Sequence, residues 1–138
     1  MAGYSATPLI KKLGIKEGHR IRVFDEPVNY WKWLGPLPAG TSTACRTNIN
    51  FVHMFVKSRA DFEGRLIKIK RQINPDGMIW VSWPKKSSKM LTDLDEGAIR
   101  DFALNNGLVD VKVCAVDDTW SGLKLVILVK ERRIIERK

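Results

Sequence analysis

Two apolar runs constrain this chain more than any other feature: Phe51-Val52-His53-Met54-Phe55-Val56 and Met78-Ile79-Trp80-Val81-Ser82-Trp83. Neither alternates polar with apolar, as a strand with one wet face does. Each therefore reads as a strand covered on both sides. Between them, Phe62, Leu66, Ile69 and Ile73 recur at helical spacing, opposite Asp61, Lys68 and Arg71. Ser58 is the expected N-cap, with Asp61 three residues on as a variant of the capping box. Asn74-Pro75-Asp76-Gly77 reads as the turn that closes the helix segment. Strand, helix and strand in this order predict a parallel pair joined by a crossover.

The flanking segments extend the pattern. Residues 8–13 read as a short helix, with Thr7 as N-cap, Pro8 in its first position and Gly14 as its stop. Ile21-Arg22-Val23-Phe24 is a short strand, residues 28–34 an aromatic helix, and residues 41–45 a weak strand. Beyond Pro84, which ends the second apolar run, lies a basic loop over residues 85–89. Thr92 is the expected N-cap of a second long helix, with Asp93, Asp95 and Glu96 in its first turn and Asn106-Gly107 as its stop. Residues 109–116 and 123–129 read as two strands joined by a turn over residues 117–122. The expected architecture is a single α/β domain over residues 1–138. It has a central mixed, mostly parallel sheet, helices on both faces and a C-terminal antiparallel hairpin. Residues 1–7 and 131–138 read as loose ends.

Composition supports a packed core: 138 residues, 44% hydrophobic and 28% charged, which is neither a disordered chain nor a disulfide scaffold. Cys45 and Cys114 are far apart and read as small buried hydrophobes in reduced strands. His19 and His53 lack metal-ligand spacing, so no metal site is expected. No run approaches the length of a membrane span, which predicts a cytoplasmic protein without membrane contact. The net charge of +9 comes from 24 Lys and Arg against 15 Asp and Glu, and a local +3 falls in residues 130–138. That balance admits acidic partners, nucleic acid among them, and serves solubility equally well.

From Phe51 onward, the order of apolar strand, helix, Pro-Asp-Gly, apolar strand, helix, Gly107-Leu108, strand and closing strand resembles the C-terminal half of a class I methyltransferase. Ile21-Arg22-Val23-Phe24 would match that fold's first strand. The resemblance implies a reduced Rossmann-like, methyltransferase-like topology, with S-adenosylmethionine as the cofactor it allows. In methyltransferases the first strand leads into a Gly-rich loop. Here Asp25-Glu26-Pro27-Val28-Asn29-Tyr30 contains no glycine, so the residues themselves predict no cofactor. A second resemblance covers nearly the whole chain. It rests on Gly3-Tyr4-Ser5, Lys11-Lys12-Leu13-Gly14-Ile15, Leu34-Gly35-Pro36-Leu37-Pro38, Val81-Ser82-Trp83-Pro84-Lys85-Lys86 and Asp117-Asp118-Thr119-Trp120-Ser121-Gly122-Leu123-Lys124. These motifs are similar to a bacterial family of small domains of unknown function. That likeness implies the fold and a bacterial cytoplasmic setting, and brings no activity with it.

In an open parallel sheet, ligands bind beyond the carboxyl ends of the strands. The candidate ligand-binding residues there are Asp25, Lys57, Ser58, Arg59, Ser82, Trp83, Lys85, Lys86, Asp118, Trp120 and Lys124. Polar loop ends and core-capping tryptophans would give the same pattern without a ligand. Ser58 and Arg59 open a helix whose N-terminus either is capped or, with Lys57 and Lys85, receives a phosphate or carboxylate. Asp117 and Asp118 either form the turn or pair with Lys85 or Lys124. Tyr30-Trp31-Lys32-Trp33 serves packing or a single-stranded nucleic acid. His53 is a core histidine unless its strand lines a cleft. Ser82 has no nucleophile-elbow motif, and no catalytic residue is assigned. Three functions stay open: a non-catalytic domain binding a small anionic ligand or a protein at the carboxyl edge, a degenerate methyltransferase or other transferase using that edge, and a nucleic-acid binder.

Overall fold

A computed structural model describes residues 7–131. The expectation of loose ends at residues 1–7 and 131–138 lies, apart from Thr7 and Glu131, outside the described residues. The elements run α1 (Leu9–Leu13), β1 (Ile21–Phe24), α2 (Tyr30–Leu34), β2 (Ile49–Phe55), α3 (Arg59–Lys70), β3 (Ile73–Pro84), a 3-10 turn (Lys86–Ser88), α4 (Glu96–Asn105), β4 (Leu108–Ala115) and β5 (Trp120–Ile127).

The two apolar runs lie side by side and run the same way, with Met54 opposite Val81. The sheet order is β1-β2-β3-β5-β4. β1, β2 and β3 are parallel, while β5 pairs antiparallel with both β3 and β4. The sheet is therefore mixed, and its closing hairpin is antiparallel. Alternation along the central strands feeds two cores. Val52, Met54, Ile79 and Val81 pack with α3 and α4 through Phe62, Leu66, Ile99 and Ala103. Phe51, Phe55 and Trp80 pack with α1 and α2 through Leu13, Tyr30 and Leu34. Each such side chain removed from water contributes about 1.5–3 kcal/mol. The Trp80 indole N–H also donates to the Leu13 carbonyl at 2.8 Å, pinning the end of α1 over the sheet.

Several local expectations are corrected. Residues 41–45 form no strand: a single parallel bridge joins Ser42 to Arg20. Ile73 belongs to β3 rather than to the helix before it. The Asn-Pro-Asp-Gly segment lies inside β3 as a bulge, because Ile49 pairs with Ile73 and Phe51 with Met78. Within it, the Asn74 side chain accepts from the Asp76 amide at 2.9 Å, so the turn chemistry is real but the strand continues past it. Pro8 is the N-cap of α1, one residue earlier than its expected role. The aromatic helix starts only at Tyr30. Asp95, not Thr92, caps α4, accepting from the Ala98 amide at 2.8 Å. Thr92 instead donates to the Lys57 carbonyl. The last strand begins at Trp120 rather than Leu123. Neither cysteine is fully buried, and only Cys114 lies in a strand.

The Ser42 bridge has a topological consequence. Ile21 donates to the Ser42 carbonyl and Ser42 to that of His19, while the Arg20 carbonyl accepts from Asn50 and Phe51 on the other side. The chain thus leaves β1, touches the outer edge of β1 at Ser42, and returns to form β2 on the inner edge. The direction of travel across the sheet reverses at β1, and such a reversal opens a crevice at the strands' carboxyl ends.

Candidate functional site

The carboxyl ends of β1, β2 and β3, with the start of β5, form one rim of the sheet. Between β1 and β2, where the chain reverses, lies a cleft of about 470 Å³. Its floor is Phe55 and Trp120, whose rings meet edge to face at 5.1 Å. Its polar groups are Lys57, Asp25 and Asp61. Asp25 turns the chain out of β1 in the left-handed region, at φ 55°. Its carboxylate meets the Arg65 guanidinium at 3.2 Å, and Arg65 lies over the Phe24 ring at 4.3 Å. Trp120 is placed by the turn before it: the Asp117 carboxylate accepts from the Thr119 and Trp120 amides at 2.9 and 2.8 Å. Asp117 is thus the turn former, and Asp118 is exposed beside it. A second cleft of about 610 Å³ lies further along the rim, between Trp83, Lys85 and Lys86 on one side and Asp93, Asp95 and Glu96 on the other.

The candidate residues therefore divide. Asp25, Lys57 and Trp120 share the first cleft, and Trp83, Lys85 and Lys86 share the second. Ser58 caps α3, its hydroxyl accepting from the Asp61 amide at 3.1 Å. The α3 N-terminus does not wait for a phosphate. The Asp93 carboxylate accepts from the Arg59 amide at 2.7 Å, and the Arg59 guanidinium donates to the Asp93 carbonyl at 3.1 Å. A carboxylate of the chain itself holds the position expected for an anion. Ser82 is fully buried below the rim. Lys124 lies midway along β5, opposite Lys112, and takes no place at the rim because β5 enters there with Trp120.

Ser82 belongs to a buried polar chain that crosses three elements. Its hydroxyl lies 2.7 Å from His53 Nε2, and His53 Nδ1 lies 2.9 Å from the Tyr30 hydroxyl. Tyr30, His53 and Ser82 are each 0% exposed. Burial pushes the imidazole down to about 3, so the ring is neutral at pH 7. A neutral ring has one N–H and one lone pair, so it donates to one hydroxyl and accepts from the other. Burial, with Glu26 nearby, raises the Tyr30 phenol. His53 also stacks on Phe55 at 4.4 Å, which links this chain to the floor of the first cleft. Without access to solvent, Ser82 and His53 act as structural groups that fix α2, β2 and β3 against one another. Sequence reasoning placed His53 in the core but missed its partners. The available signal was a polar residue inside each of two neighbouring apolar runs, which implies a hydrogen bond between them.

The β1–α2 loop bears on cofactor chemistry. Every position from Asp25 to Asn29 carries a side chain, and the Tyr30 amide closes back on the Pro27 carbonyl at 3.0 Å. A backbone dressed in this way does not give a cofactor the close approach that a glycine loop gives. The loop therefore does not fit S-adenosylmethionine held in the standard manner.

The fold is that of the methyltransferase-like Rossmann group. A SAM-dependent methyltransferase from Aquifex aeolicus superposes with TM-score 0.58 at 13% identity, covering 87% of this chain and 88% of that one. A TehB-like SAM-dependent methyltransferase from Corynebacterium glutamicum gives 0.55 at 11% identity, over 91% and 90%. A protein of the NADB-Rossmann superfamily from Streptococcus agalactiae gives 0.52 at 9%, over 96% and 75%. No curated protein matches the chain in sequence. Residues 50–128 match the family described as "Protein of unknown function (DUF3052)", and the chain belongs to that family. Among the described residues, no helix is long and apolar enough to cross a membrane.

Proposed function

We propose that this domain binds a small anionic ligand in the cleft between the carboxyl ends of β1 and β2, without carrying out chemistry on it. The cleft's position carries this reading: it lies where the chain reverses across the sheet, with Lys57 beside an aromatic floor. Lys57 would hold the anionic group, and Trp120 and Phe55 would pack against the ligand's apolar or planar part. Asp25 and Asp61 would accept from its hydroxyl or amino groups. Lys85, Lys86 and Trp83 in the neighbouring cleft would contact a longer ligand. A second reading, S-adenosylmethionine bound in a modified manner, draws support from the shared fold and from the same sheet edge.

Thermal shift separates these readings, with S-adenosylmethionine, its demethylated product, nucleotides and sugar phosphates as probes. A ligand at one hundred times its Kd adds about 2.7 kcal/mol to stability. One of the phosphate-bearing probes is expected to raise Tm, and Lys57→Ala is expected to remove that rise. Silence from every probe would overturn small-ligand binding in favour of a protein partner at the same rim. A rise from S-adenosylmethionine alone would establish the second reading.

A further inference from the structure

We propose that the sheet face carrying Lys112 and Lys124 binds the phosphodiester backbone of a nucleic acid, with Lys16 and Lys12 extending the patch. The surface is distinct from the edge cleft and is made by different elements. Lys112 and Lys124 are direct partners in the β4–β5 ladder. Cross-strand partners project to one face with Cβ atoms about 4.5–5.5 Å apart, and like charges in that relation destabilise a sheet.

The register shows how this pair arises. Leu108 packs in the core under α3 and α4, and Asp110 meets Arg100 of α4 at 3.0 Å. Strict alternation would carry Lys112 to that same layer. Instead the ladder shifts register between Asp110 and Lys112, and Cys114, two residues on, packs against the α1–α2 core. The bulge thus turns Lys112 to the opposite face. Leu123 and Leu125 face the α3–α4 core, so Lys124 between them faces the same way as Lys112. The Trp80–Leu13 hydrogen bond anchors the end of α1 over this face three residues before Lys16, and Lys16 comes close enough to Lys124 to repel it. Partial burial, with the repulsion of Lys112 and Lys16, lowers the Lys124 ammonium, and burial raises the Cys114 thiol against the opposing pull of Lys12 and Lys112. Lys16 and Lys112 are exposed.

A bulge that gathers ammoniums on one face opposes folding, and a polyanion reverses the sign of that interaction. Each phosphate neutralised also releases counterions, and the chain's +9 charge steers a polyanion toward it. A lipid surface fits less well. Of the two exposed valines of β4, Val113 alternates to the other face, which leaves Val111 in the bulge as a single apolar side chain beside Lys112.

The test is fluorescence anisotropy of the full chain with a short labelled single-stranded RNA over a series of KCl concentrations. Affinity is expected to fall steeply with salt. Lys112→Ala/Lys124→Ala is expected to weaken binding about tenfold or more, and to reduce the log–log salt slope by about 1.4, the value for two lost single-strand phosphate contacts. That variant should melt no lower than the parent, since it removes a repulsion. If it does not fold, Lys16→Ala/Lys112→Ala, which changes only exposed side chains, should weaken binding in the same direction. Lys68→Ala on α3 should leave binding unchanged. Undiminished affinity in the folded lysine variants would overturn the proposal. So would binding to phosphatidylserine vesicles without binding to RNA.

Discussion

His53 Nε2 stands 2.7 Å from the Ser82 hydroxyl across the two central parallel strands, in a core with no solvent access. The pair has a cost in acid. In the folded protein the imidazole is held neutral down to about pH 3, while in the unfolded chain it takes a proton near its ordinary value of 6.5. Between those limits the unfolded state binds more protons, so stability rises with pH and is lost as pH falls. Urea unfolding between pH 6.5 and 4.5 is expected to show a loss approaching about 1.4 kcal/mol per pH unit. The half-buried His19 is lowered too and adds a smaller loss of the same sign. His53→Gln should flatten the slope, and an unchanged slope would show that His53 is not the titrating group.

Tyr30→Phe removes the hydroxyl that satisfies His53 Nδ1 and leaves a buried ring nitrogen without a partner. The expected loss is about 1–3 kcal/mol in urea unfolding at pH 7. Ser82→Ala should cost a similar amount, through Nε2. Because the three groups form one chain, the double variant should cost less than the sum of the two.

Gly77 sits in the β3 bulge with no room for a side chain. A Cβ there would lie 2.8 Å from the Ile49 carbonyl oxygen and 2.4 Å from Ile73 Cγ1. The isoleucine can move, but the backbone of the paired strand cannot. Gly77→Ala is expected to cost about 1–3 kcal/mol, read by chemical denaturation.

Asp93 fills the N-terminus of α3 from a loop 34 residues away in sequence. Asp93→Ala should lower stability by about 1 kcal/mol. It should also create the anion site that the native carboxylate occupies, so added sulfate should restore part of the lost Tm in the variant and do less in the parent. Equal effects of sulfate on both would refute this role.

The central parallel pair was legible because its signals are local: two uninterrupted apolar runs and a helical period between them. The hairpin, the Ser58 cap and the stops of α1, α2 and α4 are legible for the same reason. What was missed depends on pairing at a distance. Asn74-Pro75-Asp76-Gly77 has the chemistry of a turn, yet whether it ends a strand or bulges from it is decided by Ile49 and Phe51 on the neighbouring strand. Ser58 was visible as a cap, but Asp93 as its companion was not, since nothing near Arg59 in sequence points to it. Ser82 reads as a rim residue because it precedes Pro84, whereas its burial goes with the partner it finds in His53. Lys124 stands beside the rim only if the last strand begins at Leu123. Starting β5 at Trp120 moves Lys124 to mid-strand.

The edge cleft is tested most directly by mapping amide chemical shifts of the labelled protein as a bound probe from the thermal-shift panel is titrated in. Perturbations should concentrate at Asp25, Val56, Lys57 and Trp120, the two strand ends and the turn that enclose the cleft. Perturbations confined to the opposite end of the sheet, around Ile49 and Ile73, would contradict it.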